Sequence, residues 1–375
     1  MGSPTIKGES VIPVGRLFGL VWLTAAALLA CSSSNQAPQA AGAPPLVTSA
    51  RFAFVANRDA NTISVFNVDQ TTGKLSGSAT AATGACDGPV YLELSTHDTL
   101  FVACNFSNSV ASFAVDPLTG GLSMIGSPVP TGAVPYDLTL DPTEKFLLVS
   151  NAGSNTLGVY SVSSTGMLAE VAGSPFATGL LPYVVKTSAS GKFVYVTNRD
   201  SNDISVFSMD QTTGLLTEIA GSPFPSDLGA RAIALSGNFA FVANRFAHNV
   251  SVFSVDAASG ALAPVAGSPF PAGLEPRSVA ADPTGKYLYV GNTVSNDISA
   301  FVIDTATGFL APMSGSPYPV GQVPFGIEID KMGKLVYVPN SGSNSVSVFS
   351  IDSSGGLQNV QTMSTPGNAY SVASM

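Results

Sequence analysis

Arg231 and Arg277 are 46 residues apart and stand at the same place in a phrase that the chain repeats. Each is the first residue after a short approach that ends in Pro or its equivalent. The full set at this place is Val90, Tyr136, Tyr183, Arg231, Arg277, Phe325 and Tyr370. Two neighbouring guanidinium groups form planar forks suited to a carboxylate or phosphate. Tyr136, Tyr183, Phe325 and Tyr370 offer flat faces for stacking on a sugar or aromatic ring. Arg58, Arg199 and Arg245 follow strand ends on the same face and add positive charge. Glu93, Lys186 and Glu328 share a position three residues deeper. Arg231, Arg277 and Glu328 together could bind a carboxylate and position water, which is the chemistry of lactone opening. The alternative is structural: Glu275, Glu328 or channel water satisfies the arginines.

Other chemistries lack their residues. The chain has only two histidines, His97 and His248. His97 falls in a turn, and His248 stands where other repeats have Asn202, Asn296 and Asn344. No spacing of His, Cys or acidic residues suits zinc or calcium, so neither a metal nor a cofactor is expected. Gly84-Ala85-Cys86-Asp87-Gly88 has the outline of a nucleophile elbow, but no helix is expected after it. The net charge is −9 with a pI near 4.6, which leaves no basic stripe for nucleic acid.

The elements that position these residues are short strands. Only 10% of residues are charged, while 37 are Gly and 26 are Pro. That mixture favours strands joined by tight turns. An aromatic-rich strand ending in Asn, a short loop and a Ser-Val-Phe strand recur seven times. The strand-ending asparagines read as Asn57, Asn105, Asn151, Asn198, Asn244, Asn292 and Asn340, at spacings of 48, 46, 47, 46, 48 and 48. Each copy holds four strand signals, and five copies close with Gly-Ser-Pro. This period and strand count predict an all-β, seven-bladed β-propeller with four antiparallel strands per blade over residues 51–375. The first repeat starts inside its second strand. The sequence Tyr370-Ser371-Val372-Ala373-Ser374 supplies the missing inner strand, so the C-terminus is expected to close the ring against the N-terminal blade.

The run Tyr195-Val196-Thr197-Asn198 is the signature of YVTN-repeat propellers. With Asn202-Asp203-Ile204-Ser205-Val206-Phe207 and Asp282-Pro283-Thr284-Gly285-Lys286, the repeat resembles the lactonase-type seven-bladed propellers, the family of bacterial 6-phosphogluconolactonase. The resemblance spans residues 51–375. It implies the propeller fold, and it implies a lactone hydrolase as one function. The other reading is a non-catalytic propeller that binds a small anionic or sugar-like ligand, or a protein partner, at its channel mouth.

Residues 1–30 read as an export signal. Lys7 and Arg16 precede an apolar run from Leu17 to Leu29. Leu28-Leu29-Ala30-Cys31 looks like a lipobox, which makes Cys31 the lipidated residue; an ordinary secretory signal is the alternative. Residues 31–50 form a Pro/Ala/Ser-rich linker. The expected protein is a monomeric exported lipoprotein of a bacterial cell envelope, touching the membrane through its lipid alone. Cys86 and Cys104 are the remaining thiols. They are expected either to form a disulfide or to leave Cys104 as a small buried hydrophobe.

Overall fold

A computed structural model describes residues 51–375; the signal, Cys31 and the linker lie outside the described residues. Seven antiparallel sheets follow one another around a ring. Blade four shows the plan. Its inner strand is Pro182–Thr187, followed outward by Phe193–Asn198, Asp203–Met209 and Leu216–Glu218. The second and third strands are almost wholly buried, because both of their faces pack on neighbouring blades. Phe52, Phe54, Leu92, Val102 and Phe113 form the core between blades one and two.

The C-terminal strand Ala369–Ser374 pairs with Arg51–Asn57 as the inner strand of blade one. Val372 and Ala369 enter the core shared with blade seven, and Ala373 enters the core shared with blade two. Arg51 adds a staple that the sequence did not advertise. Its guanidinium reaches Asp330 of blade seven at 2.7 Å and donates to the Met375 carbonyl at 3.0 Å.

Two details refine the repeat. The outer strand is split in five blades, where a two-residue strand such as Phe224–Pro225 pairs beyond the break. Gly-Ser-Pro makes that break. Its serine replaces part of the lost ladder: Ser174 accepts the Val159 N–H at 3.0 Å, Ser222 that of Val206 at 2.9 Å and Ser316 that of Ala300 at 2.9 Å. In four of the five motifs the Ser–Pro bond is cis. Blades one and seven lack the motif, and their outer strands run unbroken as Leu75–Ala82 and Leu357–Ser364.

The second detail is a correction. The second strand of blade two ends at Cys104, not at Asn105. Cys104 opposes Ser109 as Asn57 opposes Thr62 and Asn151 opposes Thr156. The repeat asparagine holds its loop: Asn57 Nδ2 donates to Thr62 Oγ1 at 3.2 Å and to Ser64 Oγ at 2.9 Å. A cysteine cannot make these bonds. In blade two Cys104 is instead bonded to Cys86, with the Cα atoms 5.1 Å apart. The next residue, Asn105, was mistaken for it because the residue types agree. Asn105 turns its amide to the Pro135 carbonyl at 3.0 Å.

Candidate functional site

The inner strands of blades one to six each carry a bulge near the start. In blade three Pro135 opposes Asn151 and Leu138 opposes Val149, so the inner strand holds one extra residue. Blade five shows the same irregularity between Ala230 and Ala232, and blade six between Pro276 and Ser278. The bulge falls at Tyr136, Arg231 and Arg277. A bulge breaks the pleat and re-aims side chains. Here it accompanies a layer of large side chains that meet across the channel.

Tyr136 is the centre of that layer. Its ring meets Tyr183 edge-on at 4.3 Å and lies 6.3 Å from Phe325, which packs on Tyr370 at 3.9 Å. Arg231 stacks on Tyr183 with its guanidinium carbon 3.9 Å from the ring centre, and Arg277 stacks on Phe325 at 3.3 Å. Both arginines donate to the Tyr136 hydroxyl, Arg277 at 3.3 Å. Arg231 is 1% exposed, yet its Nη1 has no hydrogen-bond partner. Nε of Arg277 is likewise unpartnered. Among the described residues no ion pair joins either arginine to a carboxylate. Burial and the neighbouring charge of Arg231 push the Arg277 guanidinium down to about 10. Burial of the Tyr183 phenol is outweighed by Arg231, Arg199 and Arg277, which hold it below its ordinary range.

The outer arginines behave differently. Arg245 is neutralised by Glu275, with bonds of 2.9 and 2.6 Å. Arg199 pairs with Asp200 at 2.7 Å and donates to the Tyr183 hydroxyl at 3.1 Å. Arg58 donates to the Tyr370 hydroxyl and stacks on Phe106 at 4.4 Å. Glu275 therefore satisfies Arg245 and leaves Arg231 and Arg277 open. Val90, the last member of the set, is buried against blade three.

Glu328 does not join the arginines. It lies in a second compartment toward the other end of the channel, lined by Tyr91, Glu93, Lys186, Glu328 and Lys331. The upper cavity is lined by Tyr91, Tyr136, Lys186, Arg231, Arg277 and Phe325. Tyr91 and Lys186 border both and separate them. Burial pushes the Glu328 carboxyl up to about 8, and the adjacent charge of Glu93 adds to it. Burial raises Glu93 to about 7 and Asp137 to about 6, against the pull of Lys186. Asp137 lies 3.9 Å from Lys186 and accepts the Val185 N–H at 2.9 Å; its other oxygen is buried and unpartnered. Sequence reading missed Asp137 because it neighbours Tyr136 and lies outside the recurring positions. It also missed Phe106 and Phe246, against which Arg58, Arg199 and Arg245 stack.

His97 is exposed on the opposite rim, 2.8 Å from Glu144. His248 takes the place of the loop asparagine, and its Nδ1 accepts the Glu275 N–H at 3.0 Å, a structural bond. No group of three or more acidic, His or Cys side chains among the described residues could hold a metal.

A closed ring of seven blades with a cationic, aromatic channel mouth defines the class. The chain belongs to the family described as lactonase, 7-bladed β-propeller, whose model matches residues 27–136, 133–227 and 220–325. No curated protein matches it. Among solved structures it is similar to a candidate 6-phosphogluconolactonase of Bacteroides uniformis (23% identity, TM-score 0.76, covering 87% of this chain and 99% of that one). A second, from Bacteroides fragilis, has 20% identity and a TM-score of 0.77 over 88% of this chain and all of that one. The periplasmic gluconolactonase of Pseudomonas aeruginosa has 21% identity and a TM-score of 0.74 over 86% of this chain and 99% of that one.

Proposed function

We propose that this propeller binds a carboxylate-bearing, sugar-acid-like anion at the channel mouth, held by Arg231 and Arg277. The observation that carries this reading is the arginine pair, Arg231 buried and Arg277 half-buried, without a carboxylate partner. Two adjacent guanidinium groups repel, and unpartnered N–H donors at low exposure cost stability. An anion between them removes both penalties. The Tyr136 hydroxyl, which accepts from both arginines, marks where a ligand oxygen would sit. Calorimetric titration with gluconate tests this. Binding by the wild type and none by Arg231→Ala with Arg277→Ala is expected; equal affinity in both proteins overturns it.

A second reading is lactone opening, favoured by Tyr183. Its phenol is held low beside Arg231, so it could take a proton from attacking water while the arginines face the developing oxyanion. The gluconolactonase description of the Pseudomonas aeruginosa neighbour is in line with such a substrate. Acid release from glucono-lactone at constant pH, absent in Tyr183→Phe, separates this from binding alone.

Export supports a place for the reaction. The disulfide between Cys86 and Cys104 suits an oxidising compartment, and residues 1–31 read as a lipoprotein signal. We place the protein in the cell envelope, lipidated at Cys31. Cys31→Ala is expected to move it from the membrane fraction to the soluble one.

A further inference from the structure

The approach loops of the blades are not alike. Three residues before the ring position, blades four, five and six carry Leu180, Leu228 and Leu274. The other blades carry Asp87, Ala133, Gln322 and Gly367 there. The three leucines are 55%, 57% and 49% exposed. They lie in the loops that lead into Tyr183, Arg231 and Arg277. Two further apolar side chains join them. Phe246, 48% exposed, follows Arg245, and its N–H bonds the Leu228 carbonyl at 3.1 Å. Val294, 51% exposed, is tied to the Leu274 carbonyl in the same way at 3.1 Å. At the matching place the other blades have Asp59, Phe106, Gly153, Asp200 and Gly342, so outside blades five and six only Phe106 is apolar there. The exposed leucines are thus confined to the approach loops of blades four to six. The loops that carry Leu228 and Leu274 lead into the two arginines that lack carboxylate partners.

Half-exposed leucines at one repeat position serve no blade core; each costs solvation until something covers it. Their register with Arg231 and Arg277 says what does. A carboxylate seated on the arginines has to leave the narrow mouth past these same loops. We infer that the ligand is an amphiphilic anion: a carboxylate, or the lactone that yields it, carrying a linear apolar chain that lies over Leu180, Leu228, Leu274, Phe246 and Val294. This rests on the anion reading of the mouth and adds the chain to it.

The test is calorimetric titration with gluconate and with straight-chain carboxylates from hexanoate to dodecanoate, kept below their micelle concentrations. Affinity is expected to rise about two- to fourfold per added methylene until the patch is covered. Leu180→Ser, Leu228→Ser and Leu274→Ser combined are expected to lower decanoate affinity at least about tenfold, following that slope over a few methylenes. Gluconate affinity and melting temperature stay at the wild-type values. Leu228→Ser alone gives the same direction should the triple variant misfold. Gluconate binding with no chain-length dependence overturns this inference and leaves the anion reading standing. A chain-length slope that survives the triple variant overturns it too. So does concentration-dependent dimerisation that the triple variant abolishes, since a second copy then covers the patch. Failure of gluconate and of every carboxylate to bind removes the anion reading itself, and the inference with it.

Discussion

The upper and lower layers of the channel are built from the same inner strands, three residues apart, and their electrostatics are opposite. The upper layer holds two cations with no ionic partner. The lower layer holds Glu93 and Glu328 with Lys186 and Lys331, and burial raises the proton affinity of both carboxyls. An arginine cannot do the same, because a guanidinium stays charged at any working pH. A carboxylate cluster can neutralise itself; an arginine pair must wait for an anion. Under the proposed anion reading, the difference separates a layer arranged for a ligand from one that settles internally.

Removing the scaffold common to both layers has the largest expected effect. Deleting Ala369–Met375 takes away the strand that carries Tyr370 and opens the cores on either side of blade one. It also removes the Met375 carbonyl that Arg51 grips. The loss should exceed the margin of about 5–15 kcal/mol that a domain has, so circular dichroism should show no cooperative melting. A soluble variant with the wild-type melting temperature would refute ring closure.

The second experiment attacks the upper layer alone. Arg277→Leu should abolish gluconate binding and leave the ligand-free melting temperature equal or higher. The side chain packs on Phe325, so its apolar contact is kept, and the repulsion with Arg231 is removed. Function held against stability in this way is the usual mark of a ligand site. A large fall in melting temperature would mean that Arg277 is structural.

The third concerns the joint between blades. Cys86 and Cys104 close a loop of 18 residues, for which chain entropy gives about 3 kcal/mol. Reduction, or Cys86→Ser with Cys104→Ser, should lower the unfolding free energy by that order and leave the channel unchanged. Two thiols titrating in denaturant without reductant would exclude the bridge.

The fold was legible because seven copies of one phrase repeat the same turn chemistry, and the incomplete first copy shows how the ring closes. The ring residues were legible for a related reason: they vary where the phrase does not, and so stand out against it. What escaped was pairwise and crossed the ring. Nothing in the sequence near Glu275 says that it takes Arg245 rather than Arg277, and nothing near Glu328 says that Tyr91 and Lys186 lie between it and the arginines. The bulges were hidden because the extra residue recurs near the start of the inner strand in blades one to six and so leaves no irregularity between those copies. Blade two misled because Asn105 follows Cys104 directly, and a one-residue shift is invisible when the residue types agree.

The lower layer offers the smallest effect and a sign that the upper layer cannot give. Glu328 ionises near pH 8 in the folded protein, against about 4.5 for an ordinary glutamate. The folded state therefore holds a proton that the unfolded state gives up. The stability tied to that proton is complete below about pH 4.5 and is lost as pH rises through 8. Glu93, raised to about 7, and Asp137, raised to about 6, act in the same direction over narrower windows. Glu328→Gln keeps the shape and removes the charge. It should be neutral at pH 5 and stabilising at pH 9, by about 2 kcal/mol after allowing for channel water. Lys186 sets the limit on this gain, since the ionised glutamate attracts it. Denaturant titrations of wild type and variant at the two pH values measure the difference. A variant less stable than wild type at pH 9 would mean that Glu328 serves Lys186 as a full ionic partner, and the contrast between the two layers would fail.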